Sequence, residues 1–489
     1  MTSPSRRAVT ATSVAVALLA LPSFASASST MLTGIADENV LKGQTPGGAA
    51  ATVAKWKAEG VQDVRTFAEW GKLAPSPDSV KPPAGFNGSD PKAYDFSALD
   101  ARLDLIRQHG MSVTLVISGP GPLWGSMEPA RHNTRWAPNP GLFGQFAAAV
   151  AKHVAAKVDR YIIWNEPNVG SWLQPQYKCT SSTKCSPYAP HLYRQLAVAG
   201  YDAVHANDPV ARVAVGGTSS KGSAVARTAT TAMQPLTFLR EMSCVTSKYK
   251  RKRSGYCKRF TAVKGEALSY HPHSVDLSPG RRDPATANAR MADLSRLTSA
   301  VDKLTRAKRL RVAGASKMPF WFDEYAYQTS PPDKREGISL KRQNAWTQQG
   351  WSIAARSSRV QMLTQYEWFD EPLAPGREEL NNGWQSGLFF ADGRAKPLAA
   401  AFANPIYGWR TSKAGYVWGH ARPGNQALQV TLQRKSGSGY RDYKTVSTNA
   451  AGQFKVKVPR SSKAVYRYTF VDPLSKQTRT SDAVKLAKG

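Results

Sequence analysis

The sequence predicts an α/β fold, a (β/α)8 TIM barrel followed by a small C-terminal β-sandwich. Three observations predict it. Short strand-like apolar runs alternate with helical-period segments eight times, the pattern of a parallel sheet. The place after the first run reads Thr33-Gly34-Ile35-Ala36-Asp37, which lacks the glycine-rich phosphate turn of a doubly wound open sheet. After about residue 403 the texture changes to short alternating runs separated by turn residues.

The eight runs lie near 31–36, 61–66, 111–117, 159–165, 212–217, 265–271, 319–324 and 361–368. Between them, three helices are well marked. In the first, Asp95 is placed to cap, Leu99, Leu103 and Ile106 form one stripe, and Gly110 ends it. The second begins at Asn139-Pro140, with Pro at the first helical position, and carries Phe143, Phe146, Val150 and Val154. The third carries Leu294, Leu297, Val301 and Leu304. Each stripe needs a sheet to bury it. Beyond the barrel, 427–433, 453–458 and 464–470 alternate with period two, the mark of half-buried strands.

The N-terminus reads as a targeting segment. Arg6 and Arg7 precede the apolar run Val14 to Leu21, and Ala25-Ser26-Ala27 is a cleavage pattern. The expected organisation is therefore 1–27 signal peptide, 28–403 barrel and 404–489 accessory sandwich, exported to the extracellular space without stable membrane insertion. Four cysteines suit that compartment. Cys179, Cys185, Cys244 and Cys257 allow three pairings, and their spacing favours Cys179–Cys185 and Cys244–Cys257. No C-x-x-C pair occurs to suggest a zinc site, and no metal or cofactor is expected.

The formal net charge is +32. Such a balance suits a polyanionic partner. For an exported protein, an acidic glycan or an anionic cell surface fits better than nucleic acid, which is not expected. The densest run, Lys248 to Arg253 with Lys258 and Arg259, falls between the fifth and sixth strands. Placed on the face where barrel loops form a site, it reads first as a solvated surface, and the sharper alternative is a basic wall of the mouth that binds an acidic glycan.

In a barrel, chemistry sits at the C-terminal ends of strands. The fourth run ends Trp164-Asn165-Glu166-Pro167-Asn168, and the seventh ends Trp321-Phe322-Asp323-Glu324-Tyr325. Period-two alternation would turn Asp323 to the opposite face from Glu324. The second run holds Val64-Arg65-Thr66-Phe67, the sixth Ser269-Tyr270-His271-Pro272-His273, and the eighth Tyr366-Glu367-Trp368.

With these strand ends, residues 31–400 resemble the clan A retaining glycoside hydrolases, in particular glycoside hydrolase family 39 and related cellulase-like proteins of bacteria. The resemblance implies Glu166 as acid/base and Glu324 as nucleophile, acting by double displacement on the O-glycosidic bonds of a β-linked oligo- or polysaccharide. It further implies Asn165 on the sugar 2-hydroxyl, Arg65 as the partner of Glu324, His271 or Tyr270 as its orienting group, and Trp368 as the aromatic platform. Trp124, Trp164, Trp172 and Trp384 also lie at or after strand ends. Transglycosylation with the same two acids, or a non-catalytic carbohydrate-binding protein on the same barrel, are the alternatives.

Overall fold

The computed structural model describes residues 31–181, 184–372, 383–423 and 426–488. The expected signal peptide lies outside them. Eight parallel strands close into a barrel: β1 (Leu32–Ala36), β2 (Asp63–Glu69), β3 (Ser112–Ser118), β4 (Arg160–Ile163), β5 (Arg212–Ser219), β6 (Ala267–His271), β7 (Phe320–Tyr325) and β8 (Val360–Tyr366). Neighbours around the barrel are neighbours in sequence, and β1 pairs with both β2 and β8. All eight predicted runs are barrel strands. The fourth stops at Ile163, short of its expected end.

One main helix follows each strand: α1 (Ala49–Ala58), α2 (Ser97–Gln108), α3 (Pro140–Val154), α4 (Ala189–Asn207), α5 (Pro235–Met242), α6 (Leu294–Arg306), α7 (Leu340–Ala355) and α8 (Pro397–Phe402). The α2 stripe Leu99, Leu103 and Ile106 is fully buried, and Gly110 takes the left-handed φ of +64° that ends the helix. Asp95 does not cap α2. Phe96 occupies that position, and the Asp95 carboxylate accepts instead from the Ser97 amide and hydroxyl in a local turn. In α3, Asn139 caps as expected, accepting from the Gly141 and Leu142 amides, and its four apolar residues are buried.

The barrel interior is a packed layer rather than a channel. Phe67, Val116, Ile162, Ala214, Ala267, Trp321 and Met362 come one from each of β2 to β8, with Leu32 of β1 packed against them. The small Ala214 and Ala267 leave room for Trp321, the bulkiest member. This plug floors the open end, where the strand C-termini carry the polar groups described below.

Residues 406–488 build a two-sheet sandwich. One sheet joins β9 (Ile406–Arg410), β10 (Gly415–His420) and β13 (Gln453–Val458). The other joins β11 (Gln429–Ser436), β12 (Gly439–Ser447) and β14 (Val465–Val471). Val417, Val430, Leu432, Phe454, Tyr466 and Tyr468 fill the space between. The three alternating runs read from sequence became β11, β13 and β14. The sandwich is fixed to the barrel by polar and cationic contacts. Arg422 lies 4.6 Å over the Phe402 ring of α8 and donates to its carbonyl at 2.7 Å, while Asn344 of α7 donates to Asp482 at 2.9 Å. Among the described residues no helix is long and apolar enough to cross a membrane.

Candidate active site

The site is organised by a break in strand periodicity. Along β7, Phe322 pairs with Leu363 and Tyr325 with Gln365, so three steps of β7 face two of β8. The extra residue is a bulge, which re-aims the side chains around it. Asp323 therefore does not turn to the opposite face, as strict alternation would require. Both Asp323 and Glu324 reach the same guanidinium: Arg65 Nε lies 3.0 Å from Asp323 Oδ2, and Arg65 Nη2 lies 3.0 Å from Glu324 Oε1. Arg65 also donates to Asn165 Oδ1 at 2.6 Å and stacks 4.6 Å over the Phe67 ring.

Glu166 approaches from the other side. Beyond Ile163 the chain leaves the strand through Trp164 at φ +70° and Glu166 at φ +36°, both left-handed and costly for residues with side chains. Three hydrogen bonds hold it there. The amide of Trp164 donates to the Ile117 carbonyl at 2.9 Å, that of Asn165 to Ser118 Oγ at 3.2 Å, and that of Glu166 to the Gly217 carbonyl at 2.9 Å. Gly217 needs to be glycine, because its φ is +55° and a Cβ there would stand 3.0 Å from the Trp164 carbonyl.

His271, at the end of β6, joins the two halves. Its Nδ1 is 3.0 Å from Glu166 Oε1 and 3.4 Å from Glu324 Oε2, and its Nε2 is 3.2 Å from Asp323 Oδ2. Burial alone would push the imidazole pKa down. The charges of Glu324 and Asp323 outweigh that and raise it to about 10. His271 is thus an imidazolium with both nitrogens donating. Burial likewise pushes both carboxyls of β7 up, and the surrounding cations reverse it. Asp323 is lowered to about 2, chiefly by His271 and then Arg65, with Ser269 Oγ donating to it at 2.5 Å. Glu324 is held below the usual carboxylate range by His271, Arg65 and His273. His271, His273 and Glu324 bring ligand atoms within 4.8 Å of one another.

The structure separates the remaining expected residues. Tyr270 faces away from the site, fully buried among the outer helices, where its hydroxyl donates to the Ala289 carbonyl at 2.6 Å. Alternation along β6 sends His271 inward and Tyr270 outward. Trp368 is also turned away. It is 2% exposed and packs against Trp56, Phe389 and Phe402 beneath the helices. Trp124 and Trp164 are core as well. The aromatic wall is instead Tyr366 and Trp384, edge to face at 5.8 Å, with Trp384 stacked 5.6 Å from the His273 ring and 38% exposed. Trp172 stacks on Phe67 at 5.8 Å. His273, Ser269 and Tyr366 were the residues around the two acids not assigned a role from sequence. For Ser269 and His273 the signal was present: they sit two residues either side of His271.

These placements give opposite expectations for two tryptophans. Trp368→Ala empties a core position and costs about 3–5 kcal/mol, with KM unchanged. Trp384→Ala leaves the melting temperature within a degree or so and raises KM several-fold, as loss of a half-exposed platform should. Thermal denaturation beside steady-state kinetics on an aryl glycoside checks both.

A pocket of about 450 Å³ opens beside Glu166, lined also by Val169, Lys221, Asn288, His273 and Trp384. That is within the range of roughly 300–1,000 Å³ of small-ligand sites. The basic segment does not line it. Lys248 to Arg259 follows α5, on the helix-to-strand side of the barrel, and packs against α4 and α6. The Tyr256 ring stacks on His191 at 5.2 Å, and Lys303 lies 5.0 Å over the Tyr249 ring. The expectation of a basic mouth is corrected accordingly: between β5 and β6 only the stretch before α5 reaches the open end. Both expected disulfides, Cys179–Cys185 and Cys244–Cys257, are formed.

No family model matches the chain, and no curated protein does. Solved structures do. A family 39 glycoside hydrolase from the gut symbiont Bacteroides cellulosilyticus superposes with a TM-score of 0.50 at 13% identity, covering 88% of this chain and 82% of that one. The chain shares the fold of a family 39 glycoside hydrolase. A glucosidase from Croceicoccus marinus gives a TM-score of 0.49 at 13% identity over 88% of this chain and 93% of that one. A glycoside hydrolase family 39 enzyme from Xanthomonas axonopodis pv. citri gives 0.48 at 12% identity over 88% and 92%.

Proposed function

We propose that this protein is a secreted glycoside hydrolase that cleaves β-linked oligo- or polysaccharides with retention of configuration. The observation that carries the reading is the convergence of Glu166 and Glu324 on one nitrogen of His271 at the open end of the barrel. The two oxygens concerned cannot be farther apart than those two contacts laid end to end. Sharing one donor keeps the two carboxyl groups close together, as retaining hydrolysis needs, where they stand roughly 5–5.5 Å apart.

The roles follow from the surroundings. Glu324 is buried against cations that keep it ionised, as a nucleophile requires. Glu166, with a side chain 17% exposed at the pocket, is the group able to give a proton to the leaving oxygen and later take one from water. Asn165 is held by Arg65 at the site floor, in reach of a sugar hydroxyl. His271 orients both acids. Trp384 and Tyr366 supply the face on which a sugar's C–H groups rest. The two disulfides suit an oxidising, extracellular setting. The sandwich is proposed as an accessory unit.

Glu166→Gln tests the acid/base role. Hydrolysis of a glycoside with a poor leaving group should fall by roughly 10²–10⁴-fold. A dinitrophenyl glycoside, which needs no proton, should still release its aglycone in a burst. Equal loss on both substrates would remove Glu166 from this role.

A further inference from the structure

Acidic residues are sparse along this chain, and two stretches without one meet in the fold. None lies between Met242 and Gly265, and none between Lys303 and Phe322. Both stretches are rich in Lys and Arg, and the fold brings them together. Two short strands, Val263–Gly265 and Leu310–Val312, pair in parallel, with Arg311 directly beside Lys264. Both side chains are exposed. Like charges side by side on neighbouring strands destabilise a sheet unless something neutralises them.

Among the described residues no carboxylate does so, and Lys264 has only the Tyr201 ring, 5.1 Å from its Nζ. The flanking acids are occupied: Glu241 with Lys252 at 2.5 Å, Glu266 with the Tyr201 hydroxyl at 2.7 Å, and Asp302 with Arg359 at 3.0 Å. Among the described residues, Lys264, Arg306, Lys308 and Arg311 have no ion-pair partner, yet they line one groove. Arg309 connects this groove to the disulfide-closed basic loop. It donates to the Ser243 carbonyl at 2.9 Å and stacks 3.3 Å over the Phe260 ring. Burial, and then the neighbouring Arg251 charge, hold its guanidinium below the ordinary value. On the loop, Lys258 and Arg259 border a second hollow beside Tyr256, whose ring is 45% exposed. The loop is held in shape by Cys244–Cys257 and by Arg194, which donates to the Met242 and Tyr256 carbonyls at 3.0 and 2.8 Å.

This surface is remote from the catalytic end. Lys264 precedes β6, and His271 ends it, so seven residues of largely extended chain, at roughly 3.3 Å each, separate them. We propose that the groove beside the paired Val263–Gly265 and Leu310–Val312 strands, lined by Lys264, Arg306, Lys308 and Arg311 and continued by the Cys244–Cys257 loop, is a second binding site that takes an acidic polysaccharide chain. Several unpaired cations along one groove, with an exposed aromatic ring on the adjoining loop, match a polymer of charged sugars. Two disulfides favour a compartment where the abundant polyanions are glycans. The site is independent of the catalytic residues and anchors the protein rather than feeding the pocket.

The test uses immobilised polygalacturonate and a neutral β-glucan, with the full chain and two fourfold variants. One carries Lys264→Ser, Arg306→Ser, Lys308→Ser and Arg311→Ser. The other removes the same charge elsewhere, through Lys81→Ser, Lys92→Ser, Lys413→Ser and Lys463→Ser, all exposed and unpaired. At about 150 mM salt the groove variant should lose at least roughly tenfold in affinity for polygalacturonate and the control variant less than about twofold. Neither should change binding to the neutral glucan or kcat/KM on an aryl glycoside. Equal losses from the two variants would reduce the effect to net charge and overturn the site. Tighter binding to duplex DNA than to polygalacturonate, lost in the groove variant, would overturn the choice of ligand. Because aryl glycoside turnover is read separately, failure here leaves the catalytic reading standing.

Discussion

Glu324→Gln should leave a folded protein whose hydrolysis of an aryl β-glycoside has fallen by roughly 10⁴-fold or more, the scale seen when a group that forms the covalent intermediate is removed. The fold should survive because the amide oxygen still accepts from Arg65, which lies 3.0 Å from Glu324 Oε1, and Asp323 remains to pair with both Arg65 and His271. KM should change little, since the lost interaction is a bond made on the way to the intermediate. A fluorosugar inhibitor that arrests deglycosylation should label the wild-type protein, with the adduct on the peptide containing Glu324. The adjacent carboxylate makes this a sharp test. If Glu324→Gln kept more than about a tenth of the rate while Asp323→Asn abolished it, the nucleophile would be Asp323.

The largest loss of stability is expected at Arg65. Arg65→Met removes the cation between Asp323 and Glu324 and leaves two buried carboxylates facing His271, with His273 beside Glu324 only. Breaking a buried pair from one side costs about 3–5 kcal/mol. Urea or thermal denaturation measures this directly. The pH dependence carries a sign. Asp323 and Glu324 have folded-state pKa values below their ordinary ones, so their contribution is complete above the unfolded value and is lost as pH falls through the folded one, about 2 for Asp323. Without Arg65 both folded values rise, and acid unfolding begins at higher pH. The acid limb of kcat/KM, which reports ionisation of Glu324, should move upward with it. His271 works in the other direction. Its contribution is complete below about 6.5 and is lost as pH rises through about 10. A variant whose acid limb stayed in place would show that Arg65 is structural only.

The barrel was legible because each strand and helix carries its own periodicity. A stripe such as Phe143, Phe146, Val150 and Val154 has only one apolar face to bury, and a strand end marks its own position in a barrel. Side-chain direction was less legible. Choosing between Tyr270 and His271 depends on a single-residue phase along β6, which apolar burial does not fix when both residues are polar-tipped. The same phase decides between Tyr366 and Trp368, and the larger ring proved to be the core one. Asp323 was misplaced because alternation holds only in an unbroken strand, and nothing in Trp321-Phe322-Asp323-Glu324-Tyr325 announces a bulge. The basic run was assigned to the wrong end for a different reason. The segment between two barrel strands visits both ends, and only the position of α5 says which part lies where.

The sharing of His271 Nδ1 between two glutamates has a consequence for the order of events in a reaction cycle. Leaving Glu166 aside, the buried charges cancel: Arg65 and His271 against Asp323 and Glu324. Bond formation from Glu324 to a sugar converts its carboxylate to a neutral ester, and the enclosed group becomes net positive. On the proposed mechanism the imidazolium then keeps Glu166 as its one carboxylate partner at Nδ1, so the cation that steadies the nucleophile before bond formation is turned over to the acid/base afterwards.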